Sequence, residues 1–109
     1  MSVSVFSSGT QSATLNTPHT LATPTSANVY QLLVDCSNMG SGDVVKLAIK
    51  LKVLTGGTPA VLHQETLTGA QSEPIFLSPP VTAPFGAGFT LEQTDGTGRD
   101  FDWSVLTLA

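Results

Sequence analysis

The 109-residue sequence predicts an all-β protein, an antiparallel β-sandwich of about eight strands with a jelly-roll or similar Greek-key topology. Three observations predict it. Charged residues make up only 11% of the chain, far below the usual share, and Ser, Thr, Gly and Pro fill the gap. Turn signals recur about every ten residues between short apolar runs. No stretch of about ten residues carries the apolar period of an amphipathic helix. The length suits a single domain over residues 1–109, with one modest core that needs no disulfide or metal.

The first 28 residues hold twelve Ser or Thr and two Pro. "VSVF" (3–6), "ATL" (13–15) and "HTLAT" (19–23) read as short strands, while residues 1–10 read equally as an extended arm that orders against a partner. In "NVYQLLVDC" (28–36), Tyr30, Leu32, Val34 and Cys36 share one face, with Val29 and Leu33 opposite. A strand apolar on both faces is covered twice, by its own core and by a second layer or another subunit. "SNMGSGD" (37–43) is turn chemistry. "DVVKLAIKLKVL" (43–54) alternates Val45, Leu47, Ile49, Leu51 and Val53 against Lys46, Ala48, Lys50 and Lys52, which marks a strand with one buried and one wet face. The three lysines also discourage edge-to-edge pairing with other chains. These two strands are expected to pair across the wide loop between them.

"TGGTP" (55–59) is a tight turn leading into a strand at "AVLHQETLT" (60–68). A short apolar run, "IFL" (75–77), follows. "SPPVTAPFGAG" (78–88) has three Pro and two Gly, so it reads as a long extended loop or an edge segment unable to donate a full ladder. "FTLEQT" (89–94) and "DFDWSVLTL" (100–108) close the chain. The "DGTG" between them is a hairpin signal, since glycine supplies positive φ at no steric cost. A hairpin there would pack Phe89 and Leu91 beside Phe101, Trp103 and Val105, with Trp103 anchoring the core.

Charge excludes several functions. The net charge is −4, and the first 45 residues contain no Lys or Arg. Neutralising phosphates takes several cations, so neither nucleic acid nor an anionic membrane surface is an expected partner. A single cysteine, Cys36, rules out an internal disulfide. The N-terminal residues lack the basic and apolar regions of a signal peptide, and no Asn begins a glycosylation sequon, so the expected site of synthesis is the cytoplasm of a host cell.

Residues 92–103, "EQTDGTGRDFDW", hold half of the acids, the only Arg and the only Trp. The glycines of "GTGRDF" are too few for a dinucleotide fingerprint, and a strand follows where a phosphate loop needs a helix N-terminus. Asp95, Asp100 and Asp102 are too few for calcium, and Asp100 and Asp102 alternate with Phe101 and Trp103 as a solvated strand face would. His63 and Glu65 share a strand face but lack a nucleophile or an orienting partner. His19 stands alone. Cys36 continues the apolar row of Tyr30, Leu32 and Val34 and reads as a small core residue. No catalytic residue, cofactor site or metal site is therefore expected, and no enzyme. Arg99 is left as a candidate contact with a neighbouring subunit.

"VYQLLVDCSNMGSGDVVKLAIKLKVLTGG" (29–57) and "LEQTDGTGRDFDWSVLTL" (91–108) resemble the small structural proteins of tailed-bacteriophage virions. The likeness runs from about residue 10 to the end and rests on turn-and-strand patterns. It implies a capsid decoration, or cement, protein: an all-β subunit on the outer capsid surface that binds the major capsid protein, self-associates as a dimer or trimer, and stabilises the head. A tail or baseplate component would share these features. A carbohydrate- or receptor-binding sandwich would need an exposed aromatic platform, with Tyr30, Phe76 and Phe85 as its candidates.

Overall fold

The computed structural model describes residues 2–108, which form two antiparallel sheets and no helix. Nine strands follow in order: β1 (Val3–Ser12), β2 (His19–Ala22), β3 (Asn28–Asp35), β4 (Val44–Leu51), β5 (Ala60–Thr68), β6 (Ile75–Leu77), β7 (Val81–Ala83), β8 (Ala87–Asp95) and β9 (Asp100–Leu108). One sheet runs β1-β9-β3-β6, with β7 also paired to β3; the other runs β2-β8-β4-β5. With β6 and β7 taken as one interrupted strand, this order is a jelly roll, as expected. Chain neighbours swap sheets at almost every connection; of the longer strands only β4 and β5 form a hairpin, turned by residues 52–59.

That topology corrects two expectations. Residues 28–54 are not a paired hairpin, because β3 and β4 lie in opposite sheets. "DGTG" is not a hairpin turn either, because it carries the chain from β8 in one sheet to β9 in the other. Turn chemistry shows that the chain reverses; it does not show whether the returning strand pairs beside its predecessor or packs across from it.

The core lies between the sheets. Tyr30, Leu32, Val34, Phe101 and Val105 face Val45, Leu47, Ile49, Phe89 and Leu91, all nearly free of solvent. The alternating faces of 43–51 and 28–36 are as expected, but β4 ends at Leu51. Val53, expected on the buried face, stands 86% exposed in the loop beyond. Phe101, not Trp103, is the fully buried anchor of β9. Trp103 is half-buried at the margin of the core, across from Gly9 of β1, where a Cβ on Gly9 would meet the indole at 3.6 Å. A glycine opposite an aromatic lets the ring cover the bare backbone.

Residues 3–10 of the expected arm are strand, and Met1 lies outside the described residues: β1 pairs with β9 from Val3 to Ser12, with a bulge at Phe6 whose ring meets Tyr30 edge-on at 6.2 Å. "HTLAT" supplies β2, whereas "ATL" lies in the connecting loop. In the Pro-rich segment the edge-strand reading holds. Ser78 bridges the break that Pro79 and Pro80 make between β6 and β7: its N–H donates to the Leu32 carbonyl and its hydroxyl accepts from the Leu32 N–H, both at 2.9 Å. The lone hydroxyl thus continues the ladder that proline cannot.

Candidate functional site

The "DGTGRDFD" loop is a structural clamp. Asp43, 1% exposed, reaches it from the end of the 37–43 loop. Its carboxylate accepts hydrogen bonds from the N–H of Gly40 at 2.8 Å, the N–H of Thr97 at 3.0 Å and Nε of Arg99 at 2.7 Å. The Gly40 N–H holds the Asp43 carboxyl below its ordinary range against the opposing effect of burial, and Thr97 and Arg99 add to it. Gln93, fully buried on β8, ties the same loop from within: its amide donates to the carbonyls of Asp95 and Thr97, and its oxygen accepts from the N–H of Arg99. Gly96, at φ 89°, packs against Asp43, and a Cβ there would overlap the carboxylate. Only glycine fits.

Arg99, offered by the sequence as a contact with a neighbouring subunit, has an intramolecular partner in Asp43 and keeps 34% of its side chain exposed. Asp100 and Asp102 form the expected wet face, accepting hydrogen bonds from Ser12 at 2.8 Å and Thr10 at 2.6 Å on β1. Cys36 is a core residue, its thiol pushed up to about 11 chiefly by burial, with Asp35 adding. The imidazole of His19 accepts the Thr14 N–H at 3.1 Å and so braces the β1–β2 loop. His63 and Glu65 are half-buried on the edge strand β5 and make no ion pair with each other. Among the described residues no three His, Cys, Asp or Glu side chains gather as metal ligands would.

The distinctive surface is the outer face of the β1-β9-β3-β6 sheet. Strand register sets its side chains in rows. Val3, Leu108, Val29 and Thr82 form one row; Val5, Leu106 and Gln31 the next; Ser8, Ser104, Leu33 and Leu77 the third. None of these carries a charge. The acids Asp102 and Asp35 enter only in the fourth row, with Thr10 and Ile75. Val3, Ile75 and Leu77 are each more than half exposed. Strands about 4.8 Å apart and same-face residues about 6.8 Å apart give the uncharged rows, in which Thr82, Gln31, Ser8 and Ser104 are polar, a footprint of roughly 400 Å², the size of the largest surface patch of an ordinary monomer, which is often functional. The outer face of the other sheet is polar by contrast, with Lys46, Lys50, Glu92 and Thr90.

Of this face, only Val29 and Leu33 were legible as doubly covered positions in the sequence. Leu106 and Leu108 alternate with core residues in "SVLTL", and Ile75 and Leu77 flank Phe76, so the period-2 signal was present. It became a surface only when the topology placed β1, β9, β3 and β6 side by side.

A second feature is a cleft lined by Thr20, Thr90, Phe85, Lys50 and Lys52. Neither lysine has an acidic partner within 4.0 Å among the described residues. Tyr30, one of the three residues proposed for an aromatic platform, is core. No protein-family model, curated protein or solved structure matches this chain.

Proposed function

We propose that this protein is a structural subunit of a tailed-phage virion, bound to the outside of the capsid, where it stabilises the shell by bridging major capsid protein subunits. The observation that carries the reading is the uncharged, largely apolar face built from Val3, Val5, Val29, Leu33, Leu77, Leu106 and Leu108. A rigid jelly roll with one such face is equipped to sit on another protein. The resemblance of residues 29–57 and 91–108 to small virion proteins points the same way. Binding that needs the assembled shell stabilises it by mass action, and many copies sum weak contacts into a large effect.

The test is a binding assay on purified particles stripped of the protein. Leu33→Asp with Leu106→Asp leaves the core intact and is expected to abolish re-binding. Binding equal to that of the unaltered chain rejects the face. The cleft between Lys50, Lys52 and Phe85 favours a second reading, a receptor-binding module that takes an acidic saccharide. Tight glycan binding, abolished by Lys50→Ala and without affinity for capsids, would select it.

A further inference from the structure

We infer that β1 is a docking edge for a second copy of this chain, the two β1 strands pairing antiparallel about a two-fold axis. An edge strand exposes a row of unpaired N–H and C=O groups, and folded proteins protect such edges with charge, proline, bulges or brevity. Three of the four sheet edges here are protected. At one end of its sheet, β2 is four residues long and bulged. At the other end, β5 carries His63 and Glu65 and a bulge at Leu62. The edge formed by β6 and β7 is two three-residue pieces split by Pro79 and Pro80.

The fourth edge is different. β1 runs ten residues, "VSVFSSGTQS", without a charge or a proline. Its bulge at Phe6 lies near one end and leaves Ser7–Ser12 in unbroken register with β9. Nothing in that segment repels another strand.

Two features select a second copy as the occupant. First, β1 itself brings no charge to the seam of a chain of net charge −4, and the nearest carboxylates, Asp102 and Asp100 on β9, are already tied to Thr10 and Ser12 of the same chain. Second, antiparallel pairing about a two-fold is self-limiting. It consumes both unprotected edges and leaves only protected ones, so it closes at two copies and does not propagate into a fibre. The joined sheets form one eight-stranded sheet, with Val3 and Val5 of both copies beside the seam on the same outer face. This inference stands on the edge alone. Dimers that ignore capsids would reject the proposed function and leave the dimer standing.

The experiment is sedimentation equilibrium from low to high micromolar protein. The unaltered chain is expected to sediment at twice its 11.3 kDa. Ser8→Lys with Thr10→Lys places charge on the seam and is expected to halve the mass, with circular dichroism and Trp103 emission unchanged. Gln64→Lys, on the protected edge β5, is expected to leave the dimer intact. A second measurement does not depend on the lysine variant folding. The two-fold requires one residue between Ser7 and Ser12 to face its own copy, so single cysteines scanned across that segment should give one rapidly oxidised disulfide, the buried Cys36 staying unreacted. A monomer at every concentration, a mass halved by Gln64→Lys but not by the β1 variant, or no cross-link from any scanned position would overturn the inference.

Discussion

Removing the Asp43 carboxylate tests the clamp most sharply. Asp43→Ala deletes three hydrogen bonds at once: two from backbone N–H groups and one from the Arg99 guanidinium. Neutral donors contribute about 1 kcal/mol each and a charged donor about 1.5–3. Arg99 keeps 34% of its side chain in water, so its loss falls at the low end of that range. The expected cost is about 3.5 kcal/mol, or roughly 15–25 °C in Tm for a domain of this size. Arg99→Ala removes the partner and leaves the buried carboxylate with backbone donors only, at a cost of about 2 kcal/mol. If the pair acts as one unit, the double variant falls short of the sum by at least about 1 kcal/mol. The assay is urea unfolding followed by far-ultraviolet circular dichroism. A loss under about 1 kcal/mol for Asp43→Ala, or additivity within about 0.3 kcal/mol, would refute the reasoning.

Further outcomes follow from the same geometry. Because the folded-state pKa of Asp43 is lowered, its contribution is fully present above the unfolded value of about 3.9 and is lost as pH falls through the folded value. The urea midpoint of the unaltered chain should therefore drop below about pH 4 more steeply than that of Asp43→Asn; parallel profiles would contradict the assignment. Phe101→Ala should cost about 3–5 kcal/mol, as truncation of a fully buried ring does, and Trp103→Ala clearly less; the reverse order would place the anchor of β9 wrongly. Cys36 should resist thiol reagents at neutral pH until the chain is unfolded, since its thiol is buried and titrates near 11; full reaction within minutes in the native state would show the strand end to be open.

Period-2 alternation made the strands of this protein legible before its structure. Tyr30, Leu32 and Val34, and Val45, Leu47 and Ile49, are buried as their spacing requires. The pairing was not legible. Asp95 and Gly96 mark a reversal, and a reversal between paired strands has the same local chemistry as a crossing between sheets. The crossing is set by distant groups, above all Asp43, which is 56 residues from Arg99 in sequence. For the same reason the clamp was invisible: Asp43 read as a turn residue and Arg99 as a leftover surface charge. The apolar outer face was hidden differently. Each strand contributes only one or two of its residues, and no single segment shows a patch.

The central claim is that the β1-β9-β3-β6 sheet turns its outer face to the capsid. An electron-microscopy reconstruction of intact particles measures it directly. The account predicts copies in a regular lattice over junctions between major capsid protein subunits, with Val29, Leu33 and Leu106 against the shell and the Lys46 and Lys50 face toward solvent. Copies bound with that apolar face in solvent, density confined to the tail, or a bare capsid would contradict it.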